Sequence, residues 1–99
     1  MTATLNSRPY VWPYDNNLTR HNTALIIIDM QTDFCGKGGY VDTMGYDLSL
    51  TRATMEPIGR LLARCRELGM PVIHPREGHR PDLSDLLENK RWLSRQIGA

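Results

Sequence analysis

An apolar run that ends abruptly on a carboxylate constrains the fold of this chain more than any other feature. Residues 25–28 are a leucine and three isoleucines, and Asp29 follows them directly. Because an unbroken aliphatic run suits a strand covered on both faces, residues 23–29 are predicted to form a strand of a parallel sheet. Open α/β sheets bind ligands at the carboxyl ends of their strands. Asp29 is therefore expected at the edge of the sheet where chemistry takes place.

An amphipathic helix is predicted within residues 50–68. Apolar side chains recur at helical spacing from Ile58 to Leu68 and form one stripe, with charged residues between them. Pro57 suits the first turn of the regular helix, which makes the residues before it a separate short turn. Gly69 is expected to end the helix as a residue with left-handed backbone would.

A second strand is predicted at residues 70–74, after the helix. Strand, helix and strand of these lengths form one right-handed βαβ unit with parallel strands. The unit brings residues 74–79 to the same sheet edge as Asp29. A glycine-rich polar loop is predicted at residues 34–49, and a weaker helical pattern lies around residues 83–87. No third strand is predicted, so the pattern indicates an incomplete fold or an obligate partner.

The N-terminal segment, residues 1–22, is predicted to form an arm separate from the domain at residues 23–99. It mixes prolines with the large aromatic residues Tyr10, Trp12 and Tyr14, a composition that suits an extended segment on a surface. These aromatic side chains either pack on their own domain or bind a neighbouring subunit, and the sequence favours neither alternative.

Composition excludes several functional classes. The 99 residues carry a net charge of +1, which argues against a dedicated nucleic-acid binder. No apolar stretch approaches the length of a membrane span, and the first residues do not resemble a secretory signal. The two cysteines do not form a disulfide framework, so reduced thiols in a cytoplasm are expected.

Asp29 is the main candidate for chemistry. A buried carboxylate costs several kcal/mol unless it is paired or hydrogen-bonded. A carboxylate after three isoleucines therefore favours acid–base work or orientation of a nucleophile. The structural alternative is a loop cap that accepts backbone N–H groups. Cys35 is expected to be a half-buried side chain rather than a nucleophile, and Cys65 is expected in the core.

A metal site is the weaker interpretation of a second cluster. His74, Glu77 and His79 lie within six residues and, with Asp29, could supply nitrogen and oxygen ligands. Their spacing does not match a strong zinc motif. We therefore predict no metal and no cofactor, and expect this cluster to form a hydrogen-bonded loop at the edge of a site.

The chain resembles the isochorismatase-like cysteine hydrolases, and within them the biuret amidohydrolase branch. The resemblance covers nearly the whole chain from about Pro9. The strand that ends in Asp-Met-Gln marks only the superfamily, whereas the stretches 35–40 and 78–83 are more specific. The superfamily resemblance is carried by residues 23–34 (TALIIIDMQTDF) and 72–79 (VIHPREGH). The resemblance to the biuret amidohydrolase branch is carried by residues 12–14 (WPY), 35–42 (CGKGGYVD), 44–49 (MGYDLS) and 78–83 (GHRPDL).

The resemblance implies an α/β fold, a three-layer, Rossmann-like domain around a parallel sheet, of which this chain holds the first βαβ part. It also implies a catalytic Asp, Lys and Cys that hydrolyse a linear amide or ureide. Asp29 matches the Asp, Phe34 matches a position that lines the substrate pocket, and Gln31 belongs to the same motif. The family's Lys and Cys follow the second strand and are not among residues 1–99. Pro75 departs from the pattern and is expected to end the strand ladder near His74 or bend the strand.

Several functional hypotheses remain open. The first is hydrolysis of biuret to urea-1-carboxylate and ammonia, with a ureidoacrylate or carbamoyl-amide substrate as the alternative within the superfamily. The resemblance implies a homo-oligomer, a tetramer, acting on a small amide or ureide, without nucleic acid or membrane. The second hypothesis is a non-catalytic fragment or interaction module, because residues 1–99 hold one of three catalytic groups and are expected to be inactive alone. A small metal-binding regulator is the third.

Overall fold

A computed structural model describes residues 3–98, so the first two residues of the predicted arm and the last residue of the predicted domain lie outside the described residues. Within this range the chain forms two strands and five helices, with four of the helices between the strands and one after them. In chain order they are β1 (Leu25–Ile26), α1 (Thr32–Cys35), α2 (Tyr40–Thr43), α3 (Ser49–Ala53), α4 (Met55–Glu67), β2 (Val72–Ile73) and α5 (Glu88–Ile97).

The two strands pair in parallel, as the βαβ pattern predicts. Leu25 is opposite Val72 in the register. The ladder continues past the strands, because the Asp29 amide donates to the Pro75 carbonyl at 3.0 Å. Pro75 itself has no N–H to return a hydrogen bond, which explains why β2 ends before it. Pro75 therefore cannot donate a backbone hydrogen bond to the ladder, but its carbonyl still accepts the hydrogen bond from the Asp29 amide.

Helix α4 confirms the periodicity seen in the sequence, and it packs against β2. It begins just before Pro57, which therefore lies in its first turn, and the short helix α3 precedes it as a separate turn. Gly69 ends it with a φ of +70°. The Gly69 amide donates to the Arg66 carbonyl, and the Met70 amide donates to the Cys65 carbonyl at 3.0 Å. This pair of bonds is a Schellman motif, which satisfies the last carbonyls of the helix.

One face of the sheet is open. Ile27 is buried, whereas its neighbours Ile26 and Ile28 point to the other face and are 53% and 64% exposed. The side chains of Ile27, Cys35, Leu48 and Cys65 are the buried hydrophobic groups of residues 3–98. The radius of gyration is 18.3 Å, against about 13 Å for a compact domain of this size. The described residues thus form a βαβ unit with little enclosed core.

The structure differs from the sequence prediction in strand length and in two helical regions. The strands are Leu25–Ile26 and Val72–Ile73, shorter than the predicted 23–29 and 70–74. The predicted loop at residues 34–49 contains the helix α2 and the ends of α1 and α3. Each of these helices has only four or five residues. A helix of that length is too short to show a helical spacing of apolar residues in the sequence. The weak helical pattern around residues 83–87 was misplaced, because the helix lies at Glu88–Ile97. None of the helices described in residues 3–98 is long and apolar enough to cross a membrane.

The N-terminal arm folds back on itself rather than lying extended on a surface. Ala3 pairs with Leu18, and Leu5 pairs with Trp12, in isolated antiparallel bridges. The aromatic side chains of the arm stay in solvent, with Tyr14 93% exposed. This exposure favours the alternative in which they contact a neighbouring subunit, which stays a prediction.

Candidate active site

Asp29 lies at the carboxyl edge of the sheet in an unusual backbone conformation. Its φ is +56°, in the left-handed region that most side chains avoid. Asp is among the few residues that adopt it readily. The bond from the Asp29 amide to Pro75 fixes this conformation on one side. The bond from the Gln31 amide to the Asp29 carbonyl, 2.9 Å, fixes it on the other.

The carboxylate of Asp29 is half-buried and is not used as a loop cap. Among the hydrogen bonds and ion pairs of residues 3–98, none ends on its carboxylate oxygens, although the backbone of the same residue is bonded. The structural alternative of a side chain that accepts backbone N–H groups is therefore not what the described residues show. A half-buried carboxylate held in a strained backbone without an internal partner is a typical candidate for a functional group.

Gln31 joins the two strand ends through its side-chain amide. Its Nε2 donates to the Glu77 carbonyl at 2.7 Å. The Glu77 amide in turn donates to Oε1 of Gln31, also at 2.7 Å. The carboxamide therefore pairs with the backbone of Glu77 as a neighbouring strand would. This contact confirms that residues 74–79 reach the edge where Asp29 lies, and the direct contact of Gln31 with a substrate stays a prediction.

A polar cavity of about 430 Å³ opens at this edge of the sheet. Asp29 itself is not among its lining residues. We call it the strand-edge cavity, and its lining is Ile27, Met30, Gln31, Thr32, Asp33, His74, Pro75 and Arg76. It is a shallow space between the two strand ends, and it brings an acid, an amide, an imidazole and a guanidinium group close to the backbone of Asp29.

A second cavity of about 340 Å³ lies between α1 and α5, and we call it the α5 cavity. Phe34, which the resemblance assigns to a substrate pocket, lines it. Gln31 and Asp33 belong to both cavities, so the two spaces share the segment after Asp29. The remaining lining residues of the α5 cavity are Tyr40, Glu77, Gly78, His79, Leu86, Lys90, Leu93 and Ser94.

Glu77 carries the charge that links this loop to α5. Its carboxylate forms an ion pair with Nζ of Lys90. The hydrogen bond and the positive charge of Lys90 together hold the pKa of Glu77 below its usual value of 4.5, and His79 lowers it further. His79 lies 3.5 Å from the carboxylate of Asp85. Glu77 is consequently ionised at neutral pH, and Lys90 and His79 of the α5 cavity each lie beside an acidic side chain.

The two cysteines do not line either cavity. Cys35 is buried, with its Sγ 4.0 Å from the sulfur of Met30. Cys65 lies in the core, as its place on the helix stripe predicts. Within residues 3–98 no group of three or more His, Cys, Asp or Glu side chains is arranged to hold a metal ion. Glu77 is bonded to Gln31 and Lys90, and His79 lies beside Asp85. His74 lines the strand-edge cavity.

Sequence reasoning missed Lys90 as part of the site. Lys90 is thirteen residues from Glu77 in the sequence. It lies in a segment rich in charged residues, whose pattern does not show which side chains line a cavity and which face solvent. The left-handed backbone of Asp29 was also not predicted. The one signal for it was the residue type, because Asp tolerates this conformation better than most residues.

The described elements define an α/β chain with an acidic group at the carboxyl edge of a parallel strand pair. Residues 23–98 match the model of the isochorismatase domain. The chain therefore belongs to the isochorismatase domain family, as the motifs around Asp29 predict.

Several curated relatives share this part of the sequence. A ureidoacrylate amidohydrolase RutB of Methylorubrum extorquens is 38% identical over 80 residues, which are 81% of this chain and 31% of that protein. The protein of the same name in Cronobacter sakazakii is 36% identical over 72 residues, 73% of this chain and 29% of the relative. The protein of this name in Variovorax paradoxus is 40% identical over 57 residues, which are 58% of this chain and 23% of that protein. The chain spans about a third of the length of the curated relatives it matches.

Proposed function

We propose that the protein hydrolyses a small linear amide or ureide, with Asp29 as its proton carrier. The supporting observation is the half-buried carboxylate of Asp29, which no described residue engages. The α5 cavity lies beside the same segment and is lined by Phe34. A cavity of about 340 Å³ suits a small substrate.

The proposed reaction needs a cysteine and a lysine that are not among residues 1–99. The cysteine thiol gives its proton to Asp29 and attacks the substrate carbonyl, and the C–N bond breaks. Asp29 passes the proton to the leaving nitrogen, which departs as ammonia. Water then attacks the acyl-enzyme and releases the acid and the free thiol. Asp29 is suited to both transfers because it is a carboxylate at the edge of the site with its backbone fixed.

Biuret is the substrate that we propose first, with urea-1-carboxylate and ammonia as products. The stretches 35–40 and 78–83, which resemble the biuret amidohydrolase branch, support this choice. The names of the relatives favour a second candidate, ureidoacrylate. The two differ in charge at neutral pH, since biuret is neutral and ureidoacrylate carries a carboxylate. A cytoplasmic location remains a prediction.

The test of Asp29 is the substitution Asp29→Asn in the full-length protein. Asn adopts the left-handed backbone as readily as Asp, so this change removes the charge without adding backbone strain. Loss of general acid–base catalysis costs about 10²- to 10⁴-fold in kcat. Asp82→Asn is the matched control, because Asp82 accepts a hydrogen bond from the Ser84 amide and lines neither cavity. Ammonia release at the wild-type rate in Asp29→Asn would refute the role of Asp29.

We also propose a homo-oligomer, with a tetramer implied by the resemblance. The support is the arm, whose bridges hold Tyr10 and Tyr14 in solvent. Aromatic side chains of this kind are enriched at protein interfaces. In light scattering after size exclusion, the double variant Tyr10→Ser/Tyr14→Ser should give a smaller assembly than the wild type. Tyr46→Ser, which changes a tyrosine outside the arm that is about as exposed as Tyr10, should leave the mass unchanged. An unchanged mass in the double variant would refute the role of the arm.

A further inference from the structure

Helix α5 is joined to the earlier part of the chain by one polar contact among residues 3–98, the ion pair between Lys90 and Glu77. Its other described polar contacts stay within the helix or its caps, such as the pair of Arg91 with Glu88. Leu93 and Ser94 of the same helix line the α5 cavity. Helix α5 thus forms one side of the α5 cavity, and its position depends on the ion pair between Glu77 and Lys90.

Glu77 is itself held in place from the opposite side. The two hydrogen bonds between its backbone and the Gln31 carboxamide, both 2.7 Å, fix it against the segment that follows Asp29. A continuous series of contacts thus runs from the candidate proton carrier through Gln31 and Glu77 to Lys90 of α5. Gln31 and Glu77 also line the cavity, and through these contacts they act as positioning residues for Lys90 and α5.

The same ion pair decides the charge inside the α5 cavity. Lys90 and His79 are the basic side chains among its lining residues. Glu77 faces Lys90, and Asp85 faces His79 at 3.5 Å. The lining also contains Asp33, whose carboxylate accepts a hydrogen bond from the Tyr40 amide at 3.3 Å. The described walls consequently offer no unpaired cation to a substrate carboxylate.

We propose that the Glu77–Lys90 pair determines the charge of the substrate that the site accepts. The pair neutralises the lysine of the α5 cavity and holds α5 in place as one side of that cavity. The site therefore accepts a neutral ureide in preference to an anionic one. This inference rests on the proposed function, because it names the charge class of the substrate. It favours a substrate of the biuret type over one of the ureidoacrylate type.

The test compares two substitutions that change the charge of the cavity in opposite directions. In the full-length protein, Glu77→Gln leaves Lys90 as an unpaired cation, whereas Lys90→Met leaves Glu77 as an unpaired anion. The measured quantity is the ratio of kcat/KM for biuret to kcat/KM for ureidoacrylate. We expect Glu77→Gln to lower this ratio about tenfold, chiefly through a lower KM for ureidoacrylate. Lys90→Met should raise it or leave it unchanged.

The control variant is Glu88→Gln, the same substitution in the first turn of α5, where the side chain pairs with Arg91 and does not line the cavity. It should leave the ratio at the wild-type value. A purely structural role, in which either substitution simply loosens α5, would move the ratio in the same direction in Glu77→Gln and Lys90→Met. That result, or a ratio unchanged in Glu77→Gln, overturns the specificity assigned to the pair.

Hydrogen exchange separates this inference from the proposed function. Amides of α5 should exchange about two- to fivefold faster in Glu77→Gln and in Lys90→Met than in Glu88→Gln, the range for loss of a half-exposed ion pair. Unchanged exchange overturns the positioning role. If the wild-type protein hydrolyses neither ureide, the proposed function and the specificity claim fail together. Faster exchange in that case would still support the positioning of α5.

Discussion

Replacement of Gln31 by Ala tests the contact that joins the two strand ends. The change removes two hydrogen bonds of 2.7 Å, one from the Gln31 amide to the Glu77 carbonyl and one from the Glu77 amide to the Gln31 side chain. A neutral hydrogen bond contributes about 0.5–1.5 kcal/mol net. Because Gln31 is half-buried and Glu77 is exposed, water replaces part of this energy. We therefore expect the local loss to be about 1–2 kcal/mol.

The direct measurement is hydrogen exchange at the Glu77 amide in the full-length protein. A loss of 1–2 kcal/mol should make this amide exchange about 5- to 30-fold faster. Gln31→Glu is an informative companion, because it keeps an acceptor for the Glu77 amide but places an oxygen against the Glu77 carbonyl. Its exchange rate should fall between those of the wild type and Gln31→Ala.

The chain offers a matched control in its other glutamine. Gln96 is exposed on α5, and no described hydrogen bond involves its side chain, so Gln96→Ala should not change the exchange of the Glu77 amide. Equal exchange at Glu77 in Gln31→Ala and in the wild type would refute the reasoning. It would mean that the loop stays at the sheet edge without the carboxamide.

Further predictions concern the backbone and the charge of the same unit. Gly59→Ala should stabilise the protein by about 0.5–1 kcal/mol in chemical denaturation, because Gly59 lies inside α4 with open space around an added Cβ. Gly69→Ala should destabilise it by about 1 kcal/mol through its φ of +70°, and equal signs for the two variants would contradict this explanation. In carbon-detected NMR, Glu77 should titrate below pH 4.5 in the wild type and closer to it in Lys90→Met. The folded pKa is lowered, so the stabilisation from this pair is present above pH 4.5 and is lost as the pH falls through the folded pKa. An unshifted Glu77 titration in Lys90→Met would contradict the ion pair.

The parts of the fold that local sequence encodes were predictable. The aliphatic run before Asp29, the apolar stripe of α4 and the glycine after it each specify one element by composition and period. The parallel pairing then follows from the right-handed crossover. Short helices such as α2 were not predictable, because four residues carry no readable period and their ends are set by packing.

The candidate site divides in the same way. Asp29 and Phe34 are visible in the sequence because the motif that contains them is contiguous. The partners of Gln31 and Glu77 cannot be identified from the sequence, because these residues are far apart in it. Gln31 and Glu77 are separated by 46 residues, and Glu77 and Lys90 by 13. A pairing across such a distance depends on where the sheet edge and α5 come to lie, and neighbouring residues do not encode it.

The sequence by itself thus determined that a carboxylate ends a strand of a parallel sheet, and that the loop after the second strand meets it. Those features depend on strand hydrophobicity, helix period and crossover handedness, which are local or topological. Only the tertiary structure decided that Asp29 adopts a left-handed backbone between two hydrogen bonds, and that Lys90 is paired. These depend on distances between groups far apart in the chain, which are fixed when the strand ends and α5 take their positions around two neighbouring cavities.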